Sequence, residues 1–112
     1  MDRVDSQKQA VRSVLTHYQT LNEKSDLPTE SALIYDEDRG HYLIMLMGWN
    51  RDERVKNTQV HVRLKGGKVW IEEDWTEDGV ATGLLEAGIR KDEIVLAFHP
   101  PHLRQHTEFA AA

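Results

Sequence analysis

The amino-acid sequence predicts an α+β fold, in which an N-terminal helix packs on a four-stranded antiparallel β-meander and a helical C-terminal part follows. Three observations indicate this class. Apolar residues recur at three- and four-residue spacing over residues 1–24, as they do along one side of a helix. Four apolar segments then follow one another with only short turns between them. After residue 75, a capping residue and apolar residues at helical spacing appear again.

The first predicted element is an amphipathic helix over residues 1–24, which we expect to cover the core. Six residues form its apolar side: Val4, Val11, Val14, Leu15, Tyr18 and Leu21. Asp5 or Ser6 is suited to cap its start, because short polar side chains accept hydrogen bonds from the first free N–H groups. Gln19 falls on the side expected to face solvent.

The predicted sheet centres on residues 41–50, where nearly every position is apolar. A strand with one solvated face alternates apolar and polar residues, so this segment predicts a strand that is covered on both faces. We expect a helix of this chain on one face, and a second helix or a second subunit on the other. Further strands are predicted over residues 31–36, 54–64 and 69–73. The Gly66–Gly67 pair predicts a tight hairpin between the last two.

A second helix is predicted after Thr76. Thr76 is suited to cap it, and Glu77 and Asp78 would lie in its first turn, where acidic side chains favour the helix dipole. Gly88 is placed to end it, and Gly83 within it predicts close packing.

Beyond this helix, residues 94–98 are a short apolar run that predicts a buried strand or packed segment. His99 and Pro100 then reverse the chain. Pro101 suits the first turn of a short final helix over residues 102–107.

Length and composition narrow the functional classes. A chain of 112 residues predicts a single domain, 1–112. The absence of cysteine excludes a disulfide framework or a thiolate zinc site. No apolar segment follows Met1, so we expect neither a signal peptide nor a membrane span, and a cytoplasmic location.

The net charge of −5 disfavours nucleic-acid binding, which usually requires a basic face. The bases are dispersed along the chain. Direct DNA binding remains an alternative that predicts a continuous basic face from these residues: Arg51, Arg54, Lys56, Arg63, Lys65 and Lys68.

No pattern in the chain predicts an enzyme. Neither a nucleophile elbow nor a phosphate-binding loop occurs, and the acids near residues 72–78 suit a strand end followed by a helix start. His102 and His106 have a spacing that can bind zinc, with His99 nearby, but no HExxH motif or obvious third ligand accompanies them. We therefore predict no catalytic, cofactor-binding or metal-binding residues.

Three tryptophans are the remaining candidates for contact with other molecules. Core packing is expected for Trp49 and Trp70. Trp75 lies in a polar turn and is the best candidate for an exposed contact, because tryptophan is enriched where proteins anchor to one another.

A long segment, residues 68–112, resembles the XisI family, the fdxN element excision controlling factors. Its most specific part is the sequence IVLAFHPP at residues 94–101, followed by Arg104, Thr107 and Phe109. The MGWN sequence from Met47 and the N-terminal helix extend the resemblance over essentially the whole chain.

The resemblance implies a regulatory role in the programmed excision of a DNA element that interrupts a nitrogen-fixation operon during heterocyst differentiation. A separate recombinase does the strand chemistry in that system, and the controlling factor acts beside an XisH-like protein. It implies no catalytic residues. We expect an XisH-like partner, and a homodimer in isolation. The expected partner contacts are Trp75, Thr76, Glu77, His99, Pro100, Pro101 and Arg104.

Overall fold

A 22-residue helix, α1 (Arg3–Lys24), begins the structure, a computed structural model in which residues 2–112 are described. Asp2 caps this helix, since its carboxylate accepts a hydrogen bond from the N–H of Asp5 at 2.9 Å. The predicted caps Asp5 and Ser6 are therefore wrong, because both lie inside the first turn. Gln19 is not on a purely solvated side either, because its amide donates to the carbonyl of Ser31 at 2.8 Å.

Five strands follow in the spatial order β1-β2-β3-β4-β5. Their bounds are Thr29–Asp36 for β1, His41–Asn50 for β2, Glu53–Lys65 for β3, Lys68–Asp74 for β4 and Ile94–Leu96 for β5. The first four form the predicted antiparallel meander, and Gly66 and Gly67 both adopt positive φ in the β3–β4 turn.

The prediction of a purely antiparallel four-stranded sheet is wrong in one respect. The predicted apolar run at residues 94–98 supplies β5, which joins the sheet parallel to β4. A strand that is parallel to its neighbour requires a crossover connection. Helix α2 (Val80–Glu86) lies in this connection, which returns the chain to the end of the sheet where β4 begins. The sheet is therefore five-stranded and mixed.

The C-terminal part is less helical than predicted. Helix α2 begins at Val80 rather than at Thr76, because the carboxylate of Asp74 accepts from the N–H of Val80 at 2.7 Å. Glu77 and Asp78 consequently precede the helix. The last helix, α3 (Pro101–Arg104), has only four residues, although Pro101 lies in its first turn as expected.

The core lies between the two longer helices and one face of the sheet. Its fully buried residues come from α1, α2 and every strand except β1: Val11, Leu15, Tyr42, Ile44, Val60, Val62, Val69, Ile71, Leu84 and Ile94. Gly83 of α2 packs against α1, because a Cβ placed there would lie 3.1 Å from Val14 Cγ1. The close packing predicted at this glycine is confirmed.

Among residues 2–112, the two longer helices, α1 and α2, cover only one face of the sheet. Tyr42 and Ile44 of β2 point into the core, so the odd-numbered residues of β2 point to the opposite face. We call this surface the open face; its apolar residues are Ala32, Ile34, Leu43, Met45, Met47 and Trp49. Ile34 and Trp49 are 46% and 56% exposed. The prediction that Trp49 packs in the core is therefore wrong.

The C-terminal segment covers the other end of this face, at β4 and β5. Val95 is fully buried, and it forms a bridge with Ala110 at the outer edge of β5. Trp70 is half-buried on the same side, with the Arg104 guanidinium 5.7 Å from its ring centroid. Trp70 thus lies away from the main core, contrary to expectation.

Candidate functional site

Trp75 is the most exposed large apolar side chain of the described chain, with 75% of its surface accessible. Its backbone is nevertheless held in place: the N–H of Trp75 donates to the carbonyl of Gln59 at 2.9 Å. The indole N–H donates to the Glu73 carboxylate at 2.7 Å. The ring is therefore positioned and largely solvent-exposed, as the sequence predicted.

Next to Trp75, β3 extends past the end of β4. The pairing of β3 with β4 stops at Val60 and Asp74, so residues 53–58 have no strand on this side among the described residues. A groove of about 460 Å³ lies at the base of this edge. Its lining residues are Leu46, Asn57, Thr58, Gln59, Glu73 and Trp75. An extended peptide can pair with such an edge and place an apolar side chain in the groove.

The two residues after Trp75 differ in whether their side chains are free to contact a partner. The Thr76 N–H and hydroxyl both donate to the Asp74 carboxylate, at 2.9 and 2.6 Å. Thr76 therefore stabilises the turn before α2. Glu77 is exposed in the same turn and is available for contact.

Arg104 stabilises the chain reversal at residues 99–101, which we call the HPP segment. Its Nε donates to the carbonyl of His99 at 2.9 Å, and its Nη2 donates to the carbonyl of Ala97 at 3.0 Å. His99 contributes its backbone, and its ring lies 4.6 Å from that of Phe98. Pro100 and Pro101 are exposed.

The structure brings these two groups of predicted contact residues to one end of the sheet. Because β4 and β5 run parallel as neighbours, the segments that follow them leave the sheet at the same end. Within residues 2–112, no hydrogen bond or ion pair joins Trp75, Thr76 or Glu77 to the HPP segment. Trp75, Glu77, Pro100 and Pro101 are exposed there, whereas Thr76 and Arg104 have internal partners.

Four of the six bases that direct DNA binding would use share one face of the sheet, whereas Arg51 lies in the β2–β3 turn and Lys68 donates to the carbonyl of Ala112 at 2.6 Å. Arg54, Lys56 and Arg63 pair with Trp49, Met47 and His41 of β2, which places all three on the open face. Lys65 follows the same alternation, and its amine lies 5.2 Å from the Trp70 ring centroid. A bulge between Val60 and Thr58 shifts the alternation along β3, so spacing alone did not predict this alignment.

Acidic residues occupy the opposite margin of the open face. Glu30 and Asp36 of β1 pair with Met47 and His41, so they share the face with the bases of β3. Arg63 also has an acidic neighbour on β4, Glu72, at 3.4 Å. The open face therefore has an acidic strand, an apolar strand and a basic strand side by side.

Two histidines meet on the open face. His41 Nδ1 and His61 Nε2 are 2.9 Å apart, a hydrogen-bond distance. Burial lowers the pKa of His61 because it disfavours the charged imidazole, and the neighbouring His41 lowers that pKa further. His61 pairs with Leu43 across the strands, and His41 lies two residues before Leu43 on the same face of β2. Sequence separation does not reveal that the two histidines are neighbours.

A buried carboxylate, Glu93, was also not anticipated. It is 5% exposed and receives hydrogen bonds from Arg3 and from the Gln7 amide, the latter at 2.9 Å. The Arg3 guanidinium, above all, lowers the pKa of Glu93 to about 2. Gln7 also donates to the Gly67 carbonyl at 2.8 Å. This cluster joins α1, the β3–β4 turn and the segment before β5, which indicates a role in holding the fold.

The other predicted candidates lie apart. No three His, Cys, Asp or Glu side chains within residues 2–112 are grouped so as to hold a metal ion, and His102 and His106 are exposed. No helix in that range is long and apolar enough to cross a membrane.

Comparison with known proteins gives one family. The sequence model described as XisI protein matches residues 1–111. The fdxN element excision controlling factor XisI from Anabaena variabilis ATCC 29413 has a similar crystal structure, with a TM-score of 0.87 and 33% identity over 99% of this chain and 100% of that chain. A XisI-like protein from the same organism gives a TM-score of 0.88 and 32% identity over the same shares. No curated protein matches the chain.

Proposed function

Because the chain belongs to the XisI family, we propose that it is a non-enzymatic regulatory factor for excision of a DNA element. The observation that supports this role is the name of a similar structure, an fdxN element excision controlling factor, which covers 99% of this chain. The proposed setting is the cytoplasm during heterocyst differentiation. There the excision would restore a nitrogen-fixation operon, and a separate recombinase would cut and join the strands.

The proposed mechanism is contact with an XisH-like protein at Trp75. A large exposed ring on a fixed backbone loses little conformational freedom on binding, so it is suited to anchor a partner. The unpaired edge of β3 adds backbone donors and acceptors beside it. Pro100 and Pro101 lie at the same end of the sheet and would border this contact.

The test is co-expression with an XisH-like protein, followed by affinity measurement for two matched variants. Trp75→Ala removes the proposed anchor, and we expect the dissociation constant to rise about 10-fold or more, as for interface tryptophans in general. Trp49→Ala removes the second exposed tryptophan, which lies on the open face, and is expected to change this affinity little. Equal effects of the two variants, or none, would contradict the proposed contact.

Direct DNA contact is a second candidate, favoured by the alignment of Arg54, Lys56 and Arg63 on one face. The acids Glu30 and Asp36 on the same face oppose it, because they would repel phosphate. Fluorescence anisotropy with duplex DNA at increasing salt tests it. Binding through this face predicts that Lys56→Glu weakens affinity and that affinity falls steeply with salt, whereas Glu77→Lys leaves it unchanged or strengthens it.

A further inference from the structure

Within residues 2–112, no part of the chain covers the apolar centre of the open face. Its centre is β2, where Leu43, Met45 and Met47 are each only partly buried although they are apolar. None of them contacts the buried core on the other side of the sheet. Contiguous apolar surface of this kind usually marks a contact site.

Pairing across the sheet arranges this face in rows of three residues, one from each of β1, β2 and β3. The two central rows are Ala32–Met45–Thr58 and Ile34–Leu43–His61. The two outer rows are Glu30–Met47–Lys56 and Asp36–His41–Arg63. Both outer rows have an acid on β1 and a base on β3.

We propose that a second copy of this chain covers the open face, related to the first by a two-fold axis that runs along β2. Rotation about this axis places β1 of one copy over β3 of the other. Glu30 then faces Lys56 of the second copy, and Asp36 faces its Arg63, with each contact made twice. A two-fold interface must be self-complementary in this way.

A second aligned arrangement has its axis across the strands, and the charges disfavour it, although Asp36 and Arg63 also pair with Arg39 and Glu72 of their own chain. It would place β1 over β1 in the opposite direction, so that Glu30 of one copy faced Asp36 of the other. Lys56 would similarly face Arg63. Like charges set against each other at an interface are costly, whereas opposite charges fix its register.

The apolar centre supports the same axis. Met45, Met47 and Trp49 of one copy would meet the same residues of the second copy along β2. The strands of both copies would run in nearly the same direction, which suits two sheets that pack face to face with their strands aligned. Trp70 and Arg104 on β4 and beyond would remain outside the contact, where the C-terminal segment covers the face.

The size of the face is sufficient for a dissociable dimer. Three strands at about 4.8 Å spacing and seven residues at about 3.4 Å give a footprint of roughly 350 Å² on each copy. Side chains that project from the sheet add accessible surface to this flat footprint. The surface buried by both copies is then roughly 1,000 Å², the lower limit for a specific interface. We therefore expect a weak dimer that dissociates on dilution.

Sedimentation velocity on the full chain, from about 1 µM to about 200 µM, tests the proposal. We expect concentration-dependent dimerisation for the unmodified chain. Met45→Glu places a carboxylate against its own copy at the axis and is expected to abolish the dimer. Leu21→Glu makes the same kind of change at an exposed residue of α1 and is the control that should leave it intact. Circular dichroism verifies that both variants fold.

Two charge reversals test the axis itself. Glu30→Lys and Lys56→Glu should each weaken self-association about 10-fold, because each sets like charges against each other twice. An equimolar mixture of the two variants should form a heterodimer, in which every facing pair is again of opposite charge.

Three outcomes would overturn the proposal. The first is a chain that stays monomeric throughout the concentration range. The second is a dimer that Met45→Glu leaves intact, and the third is a mixture of the charge variants that forms no heterodimer. If the chain stays monomeric while Lys56→Glu weakens binding to DNA or to an XisH-like protein, that molecule covers the face instead.

Discussion

At the scale of single residues, two buried polar side chains that sequence patterns did not single out hold the fold together. Gln7 interrupts the apolar side of α1, yet it is fully buried because its amide donates to both Glu93 and the Gly67 carbonyl. Glu93 in turn receives a hydrogen bond from the N–H of Arg90 at 3.1 Å. Several hydrogen-bond donors around a buried carboxylate strongly stabilise its charged form.

Glu93 makes the stability of the fold depend on pH in the acidic range. Its folded pKa, about 2, lies below its ordinary value of 4.5. The stabilisation is complete above pH 4.5 and is lost as the pH falls from 4.5 through about 2, because the unfolded chain takes up the proton first.

Glu93→Gln tests this effect. We expect the variant to lose about 2 kcal/mol of unfolding free energy at pH 7, since buried donors would lose a charged acceptor. Urea denaturation at pH 7 and pH 3 should show the difference from the unmodified chain shrinking in acid. Asp92→Asn, at an exposed neighbour, is the control, and an equal gap at both pH values would contradict the charge-based account.

His61 is expected to act in a separate pH range. Its pKa is lowered from 6.5 by burial and by His41, while Glu72 and Glu73 favour its charged form and Arg63 opposes it. The unfolded chain therefore binds a proton before the folded chain does, so stability should decrease as the pH falls below 6.5.

His61→Gln removes the titration while retaining a side chain that can hydrogen-bond to His41. Thermal denaturation of dilute protein between pH 8 and pH 5 should show a smaller acid-induced loss for this variant. His102→Gln, which removes an exposed imidazole, should behave like the unmodified chain. If both histidine variants kept the full loss, another group would be responsible.

At the scale of elements, one carboxylate decides where α2 begins. Thr76, Glu77 and Asp78 match the usual pattern of a helix start, and this pattern predicts a cap at Thr76. In the structure Asp74, at the end of β4, accepts from Thr76 and from the Val80 N–H, which is six residues away. This cap depends on the bend of the chain between them.

Asp74→Ala should destabilise the protein by about 1 to 2 kcal/mol, because two backbone N–H groups lose their acceptor at a helix start. Glu77→Ala is the matched control, since this acid precedes the helix and is exposed; its effect should be within about 0.5 kcal/mol. Thermal unfolding compares the two, and hydrogen exchange in α2 should increase for Asp74→Ala alone. If Glu77→Ala cost as much, the result would contradict the assignment of the helix start to the Asp74 carboxylate.

At the scale of the whole molecule, the sheet has one face built for the core and one that remains open in the single chain. The run of apolar residues in β2 predicts cover on both of its sides, and within residues 2–112 the structure confirms it for the core side only. Helix α1 covers one side, and the proposed second copy would cover the other. The proposed partner anchor at Trp75 lies beyond the β3–β4 pairing, but the groove beside it includes Thr58 of the open face, so the two proposed contact surfaces adjoin there.

Local patterns in the sequence determined α1, the four-stranded meander and the glycine hairpin, because helical spacing, apolar runs and turn residues act over a few positions. They also predicted that Trp75 is exposed. Only the tertiary structure decided that residues 94–96 form a parallel strand, since that depends on the path of the crossover through α2. It likewise decided that the bases of β3, the acids of β1 and the apolar side chains of β2 share one face. Their alignment depends on strand register and on one bulge, which sequence spacing does not encode.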